Sequence, residues 1–289
     1  MTGYHVEAGL HPVPNPSTRG CYPDGLMRPV ALTIAGSDPS GGAGLQADLK
    51  TFHQFGVYGQ AVVTLVTVQN SVRVSRVEVL SPQLVLEQIA AAVEDIPPGA
   101  AKTGALGSAE MVEAVARAAA GFRFPLVVDP VMVSKHGLPL LPEAGAHAIR
   151  TCLLPRAALI TPNVPEAEAL TGIAIATLED MRQAARRLCE MGARAALVKG
   201  GHTAGQNSID VLFDGSAFHE FPAPRIATRH THGTGCTFSA AITACLAGGQ
   251  NLTRAVERAK RFIQEAIRTN PGLGSGSGPV NHFADGGSE

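Results

Sequence analysis

Val30-Ala31-Leu32-Thr33-Ile34-Ala35-Gly36-Ser37-Asp38-Pro39-Ser40-Gly41-Gly42-Ala43-Gly44 begins as a short apolar run and ends in a cluster of glycines. The run predicts a strand, the glycines a turn, and the pattern from Ala43 to Phe52 a helix. A second β-branched run, Ala61-Val62-Val63-Thr64-Leu65-Val66-Thr67-Val68, predicts the next strand. Strand, helix, strand is the unit that builds a parallel sheet, because the crossover helix carries the chain back to start each strand at the same end.

The alternation continues along the chain. Helices are expected at 82–93, 108–120, 142–151, 178–191, 236–246 and 252–268. Between them, short apolar strands are expected at 100–102, 125–129, 157–160 and 195–199, and a hairpin around Asp214-Gly215. Apolar strands alternating with helices indicate an α/β fold: a central, mostly parallel sheet with helices on both faces. We expect one domain over 27–283, a flexible extension over 1–26 and a tail over 284–289. Gly272-Leu273-Gly274-Ser275-Gly276-Ser277-Gly278 is low in complexity and reads equally as a linker or an ordered loop.

Sites in such folds lie beyond the carboxyl ends of the strands. Polar clusters fall at those ends: Gly36-Ser37-Asp38, Gln69-Asn70, Asp129, Thr161-Pro162-Asn163 and Lys199-Gly200-Gly201-His202. Their recurrence at one kind of position argues for a shared active-site edge. Thr231-His232-Gly233-Thr234-Gly235-Cys236-Thr237 adds a glycine turn that hands over to an alanine-rich helix. Glycine lets backbone N–H groups turn inward, and the helix start adds unpaired donors and a positive dipole end. That is an anion cradle, and phosphate suits it. Cys236 in the first turn is expected to be either a thiol of lowered pKa or a small core residue.

Other residues leave two readings each. Asp48 is a hydrogen-bonding partner for a ring amine or hydroxyl, or a solvated helix acid. Asp129 ends an apolar strand, where a carboxylate is costly unless paired or metal-bound. Asn163 and Glu166 supply oxygen donors that suit Mg²⁺, or Glu166 favours a helix dipole. Lys199 meets nucleotide phosphates, or reaches solvent from a strand end. Neither GxxxxGK[ST] nor GxGxxG is present, and the His202, His230 and His232 spacing fits no zinc signature.

The 289 residues are 45% hydrophobic and 16% charged, with a net charge of −1 and scattered basic residues. No basic stripe or long apolar run appears, so nucleic-acid and membrane partners are not expected. Five cysteines without CxxC spacing suit a reduced, cytoplasmic protein better than a disulfide framework.

Residues 31–44, Asn163-Val164-Pro165-Glu166-Ala167, Val198-Lys199-Gly200-Gly201-His202 and 231–237 together resemble the hydroxymethylpyrimidine/phosphomethylpyrimidine kinases of thiamine biosynthesis. That group lies within the ribokinase-like superfamily, and the resemblance runs in order over about residues 28–283. It implies a ribokinase-like three-layer α/β/α fold, ATP and Mg²⁺, and phosphorylation of a 4-amino-5-hydroxymethyl-2-methylpyrimidine and then of its monophosphate. By the same resemblance Gly233, Thr234 and Gly235 form the anion hole and Cys236 stands in the place of a catalytic base. Gly36, Asp48, Gln69 and Ala105 bind the pyrimidine. Asp129, Lys199 and Thr231 lie on the nucleotide side, and Asn163 and Glu166 act on Mg²⁺ through water. A homodimer is implied.

The sequence departs from the family pattern at the 1–26 extension and at Ala105, where a bulkier residue is expected. Three competing functions remain. The first is a pyridoxal or pyridoxine kinase of the same superfamily. The second is a thiol acyltransferase using Cys236 with His232, and the third a non-catalytic ligand sensor.

Overall fold

The computed structural model describes residues 28–135, 137–201 and 206–285. The expected extension 1–26, His202 and residues 286–289 of the expected tail lie outside the described residues.

The strands are β1 (Val30–Ser37), β2 (Tyr58–Gln69), β3 (Val74–Val79), β4 (Ala100–Thr103), β5 (Leu126–Val128), β6 (Leu159–Ile160), β7 (Ala196–Val198), β8 (Asn207–Phe213) and β9 (Phe218–Pro224). They form one sheet in the order β3-β2-β1-β4-β5-β6-β7-β8-β9. β1, β2, β4, β5, β6 and β7 run parallel; at the edges β3 pairs antiparallel with β2, β8 pairs antiparallel with β7, and β9 pairs antiparallel with β8. The helices are α1 (Gly44–Gln54), α2 (Pro82–Asp95), α3 (Ala109–Ala119), α4 (Glu143–Ala148), α5 (Val164–Thr171), α6 (Leu178–Glu190), α7 (Thr234–Ala247) and α8 (Leu252–Arg268).

Strand side chains alternate between two cores, as a period of two requires. Leu32, Ile34, Val128, Ile160, Val198 and Val211 face the core shared with α2 to α6. Their neighbours Ala31, Val127, Leu159, Leu197 and Leu212 face the opposite side, against α1, α7 and α8. Both faces are therefore covered, which gives the three-layer α/β/α architecture and explains strands apolar at every position.

Several helix starts follow from local chemistry. The Ser81 side chain caps α2, with Pro82 at the first helical position, and Asn251 caps α8. Capping boxes start α5 (Asn163 with Glu166) and α6 (Thr177 with Asp180). The glycine-rich stretch 272–278 is an ordered loop: Ser277 N–H donates to the Ser71 carbonyl at 2.8 Å. Ala284 is buried in the α7–α8 core, and Gln54 Nε2 donates to its carbonyl at 3.0 Å.

Candidate active site

The sheet order reverses between β1 and β4. β1 leads by way of α1 to β2 on one side, and the chain later returns to place β4 on the other. Ligands in such sheets bind in the crevice at this switch point. Here a cleft of about 750 Å³ opens there, lined by Ala35, Gly36, Gly104 and Ala105 from the two strand ends. The size falls within the about 300–1,000 Å³ of small-molecule sites.

The cleft has two ends and a middle. At one end Gly36, Leu65, Thr67, Gln69 and Ala105 line the cleft with both apolar and polar groups. A Cβ on Gly36 would meet Leu65 Cδ1 at 2.5 Å, so only glycine leaves that side chain in place. At the other end Ile226, Phe238, Ile263 and Ile267 make an apolar wall between β9, α7 and α8. In the middle stand Thr231, Gly233, Thr234, Gly235, Cys236, Asp129 and Lys199.

Gly233 caps α7 with φ +80°, the left-handed region that favours glycine. A Cβ there would meet the Gly42 carbonyl at 1.7 Å, so no side chain fits. The Thr231 carbonyl accepts from the Thr234 N–H at 3.3 Å and the Thr234 hydroxyl at 2.8 Å. This aims the first turn of α7 into the cleft, where its Gly235 and Cys236 amides have no acceptor within the helix.

Asp129 follows β5 and is 2% exposed. Its Oδ1 accepts from Lys199 Nζ at 3.0 Å and from Thr161 Oγ1 at 3.2 Å; the Ser239 hydroxyl lies 3.2 Å from Oδ2. Burial works against the carboxylate, but Lys199 and Lys102 outweigh it and hold Asp129 below its usual range. Burial likewise opposes the charge on Lys199, and Asp129 and Glu166 restore it, holding its pKa above the ordinary lysine value. A Cβ on Gly235 would come within 3.3 Å of Lys199 Nζ, so the ammonium sits against the α7 cradle. Lys260 Nζ donates to Asp210 at 2.7 Å, and Asp210 accepts from the Gly200 N–H at 2.8 Å, which fixes the turn after Lys199.

Asn163 and Glu166 line the cleft beside these groups. Glu166 Oε2 accepts from the Asn163 N–H at 2.8 Å, and Asn163 Oδ1 from the Glu166 N–H at 2.9 Å. Burial pushes Glu166 up to about 7, opposed by Lys199 and reinforced by Asp129. Among the described residues there is no cluster of three or more His, Cys, Asp or Glu that could enclose a metal. A desolvated carboxylate beside a second one, at the rim of an anion cradle, is an all-oxygen donor set. It suits a Mg²⁺ ion that keeps its waters and takes further oxygens from phosphates.

Two sequence expectations need correction. Asp48 does not line the cleft. It is fully buried behind it, accepting from Lys102 Nζ at 2.7 Å and from Thr33 Oγ1 at 2.6 Å. Its carboxylate is held by a lysine and a threonine in the core, so in this structure it presents no atom to the cleft. The Cys236 thiol is not lowered: burial pushes it up to about 12. Lys102 and the Gly44 N–H that hydrogen-bonds it act the other way, and Asp48 and Asp129 push it further up. The helix terminus is present, but desolvation beside two carboxylates wins.

Sequence reasoning also missed partners that matter. Lys102 on β4 is fully buried, and Asp48, Cys236 and Asp129 around it more than offset the cost of burial and keep it charged. A lysine in the run Ala100-Ala101-Lys102 was the available signal. His232 Nε2 lies 2.8 Å from Asp38 Oδ2 across 194 residues, which no local pattern could reveal.

The chain is similar to known proteins along most of its length. A family model described as phosphomethylpyrimidine kinase matches residues 38–281. The hydroxymethylpyrimidine/phosphomethylpyrimidine kinase of Bacillus subtilis is 49% identical over 256 residues, covering 88% of this chain and 94% of that one. The thiamine biosynthesis bifunctional protein ThiED of Geobacter sulfurreducens is 50% identical over 92% of this chain and 54% of its own length. Among solved structures, the pyridoxal kinase of Staphylococcus aureus in complex with AMP-PCP and pyridoxal superposes with a TM-score of 0.82 at 35% identity. That match covers 89% of this chain and 94% of the other.

Proposed function

The chain belongs to the phosphomethylpyrimidine kinase family, and from that premise we propose that it moves the γ-phosphoryl group of ATP onto 4-amino-5-hydroxymethyl-2-methylpyrimidine and then onto the resulting monophosphate, in thiamine biosynthesis. One observation carries the reading. The α7 N-terminus, with Gly233-Thr234-Gly235-Cys236, lines the same cleft as Gly36, Gln69 and Ala105 from the β1, β2 and β4 ends and Ile226, Phe238, Ile263 and Ile267 beside β9, α7 and α8. A phosphoryl group in transit between a pyrimidine and a nucleotide would meet that point.

Phosphoryl transfer needs alignment and charge stabilisation more than covalent help. The pyrimidine lies against Gly36, Gln69 and Ala105, where the Gln69 amide can read ring nitrogens or the amine. The adenine lies on the Ile226–Phe238–Ile263–Ile267 wall. Backbone amides of Gly233 to Cys236 and the Lys199 ammonium face the equatorial oxygens of the transferred group. In the first transfer Cys236 acts from its thiolate form, its own proton having gone to solvent: the hydroxymethyl oxygen attacks phosphorus, the bond to the ADP oxygen breaks, and the hydroxyl proton passes to the Cys236 thiolate. Asn163 and Glu166 would hold Mg²⁺ through water, and the ion would neutralise charge on the phosphates.

The kinase works as a homodimer in the reduced cytoplasm on this reading. Val66, Val68, Val72 and Val79 are exposed on β2, β3 and the turn between them, an apolar edge suited to a second copy. Cys152, Cys189 and Cys236 are free thiols. No helix of the described residues is long and apolar enough to cross a membrane.

The test is release of ADP from Mg-ATP. The hydroxymethylpyrimidine should stimulate it at least about tenfold over the ATPase background, since the acceptor supplies the missing nucleophile. ADP release indifferent to the pyrimidine would contradict the reading.

A further inference from the structure

Asp38 and His232 belong to different glycine loops, one before α1 and one before α7, and both are buried at 1% and 5% exposure. Asp38 Oδ1 accepts from the Ser40 N–H at 2.8 Å and the Ser40 hydroxyl at 2.7 Å. Its Oδ2 accepts from the Gly42 and Ala43 N–H groups at 3.2 and 2.8 Å, and lies 2.8 Å from His232 Nε2. Burial disfavours this carboxylate, yet the bonds from His232 and Ser40 hold it well below its usual range. So the carboxylate folds the first loop and the imidazole binds that folded loop to the second.

Contacts between the loops are close. The Gly233 Cα lies against the Gly42 carbonyl, and a Cβ on Gly42 would meet His232 Cδ2 at 2.5 Å. His232 is fixed from behind as well: its N–H donates to the Gly278 carbonyl at 3.0 Å, and its carbonyl accepts from Val280 at 3.3 Å. The result is that two helix N-termini converge on one sulfur. Cys236 sits in the first turn of α7, and the N–H of Gly44, first residue of α1, hydrogen-bonds it. Lys102, Asp48, Asp129 and Lys199 complete the charged groups around that thiol.

We propose that the Asp38–His232 pair is a positioning clamp. It holds the α1 and α7 N-termini in one register, so that the pyrimidine-side loop and the phosphoryl cradle meet at Cys236. Neither residue need touch the reacting atoms. A loop displaced by about 1 Å can cost about 100-fold in rate, which gives the clamp its leverage. The inference rests on the proposed reading of the α7 N-terminus as the transfer site.

Two measurements test it. In steady-state kinetics, His232→Ala and Asp38→Asn should each lower kcat by about 10- to 100-fold while the nucleotide KM stays within about threefold. The double variant should be no slower than the slower single variant, because the two residues act as one unit. His232→Gln, which keeps a side-chain N–H, should recover most of the rate. Peptide-level hydrogen exchange reads the clamp without reference to activity. His232→Ala should speed exchange at least about tenfold in both 40–47 and 231–237, although the mutation lies in only one of them. If Asp38→Asn does not fold, the two His232 variants carry the test. Exchange that rises only in 231–237, or losses in kcat that multiply in the double variant, would overturn the clamp. A wild-type protein that transfers no phosphoryl group, with both segments still coupled in exchange, would overturn the function and leave the clamp standing.

Discussion

A thiol pushed up to about 12 is a poor base at rest and a strong one once ionised. That combination makes the role of Cys236 testable by comparing the two transfers. The first acceptor is an alcohol and must lose a proton. The second is a phosphate monoester, which is already largely ionised at pH 7 because its second pKa is about 6. Cys236→Ala should therefore slow the first transfer by about 10²–10⁴ and the second by less than about tenfold. Equal losses in both would mean that Cys236 shapes the cradle rather than taking the proton. With a thiol near 12, kcat/KM for the first transfer should climb about tenfold per pH unit between pH 6 and 9, as the thiolate fraction does. A plateau by pH 7 would show that bound substrates pull the pKa down. At this scale the sequence was informative about identity and silent about environment. The glycines and the cysteine of 231–237 announce an anion site, but the burial of Cys236 beside two carboxylates is set by β4, α1 and β5, which are remote in the chain.

Elements meet through buried ion pairs that fix which helix lies on which strand. Lys102 of β4 and Asp48 of α1 are both fully buried, 2.7 Å apart. Removing one partner strands the other charge in the core, so Lys102→Met should cost about 3–5 kcal/mol in urea unfolding. Lys102→Met combined with Asp48→Leu should recover more than half of that. A single-variant cost under about 1 kcal/mol would show the pair to be solvated.

The C-terminal segment is tied to α7 by Thr237 and His282, whose Oγ1 and Nε2 lie 3.1 Å apart. Burial, with Lys50 and His232 nearby, lowers His282 to about 4. The unfolded chain, with an ordinary value near 6.5, binds the extra proton first as pH falls. Stability is thus fully present above about pH 6.5 and is lost between about 6.5 and 4, by up to ~3 kcal/mol. The difference in stability between wild type and His282→Gln should be constant above about pH 6.5 and shift against wild type between about pH 6.5 and 4; a difference that does not change with pH over that window would contradict this.

Periodicity made most elements legible, including α8 at its observed bounds. β3 and α5 were not read as elements. β3, Val74-Ser75-Arg76-Val77-Glu78-Val79, is a half-polar edge strand, and α5 carries Pro165 and a glutamate pair that obscure its apolar face.

For the whole molecule, the reversal of strand order between β1 and β4 decides where ligands go, and the strand-end polar clusters already pointed there. What the sequence could not order was depth. Gln69 and Ala105 line the cleft, whereas Asp48, from an equally suggestive motif, lies behind it. Ala105 lines the end proposed for the pyrimidine, and a pyridoxal kinase of the same fold is 35% identical. Acceptor identity is therefore the central claim. It is tested most directly by mass spectrometry of products formed from Mg-ATP with hydroxymethylpyrimidine, its monophosphate and pyridoxal offered separately. The pyrimidine diphosphate should form from the first two, with little pyridoxal phosphate from the third. Efficient pyridoxal phosphorylation with no diphosphate would contradict it.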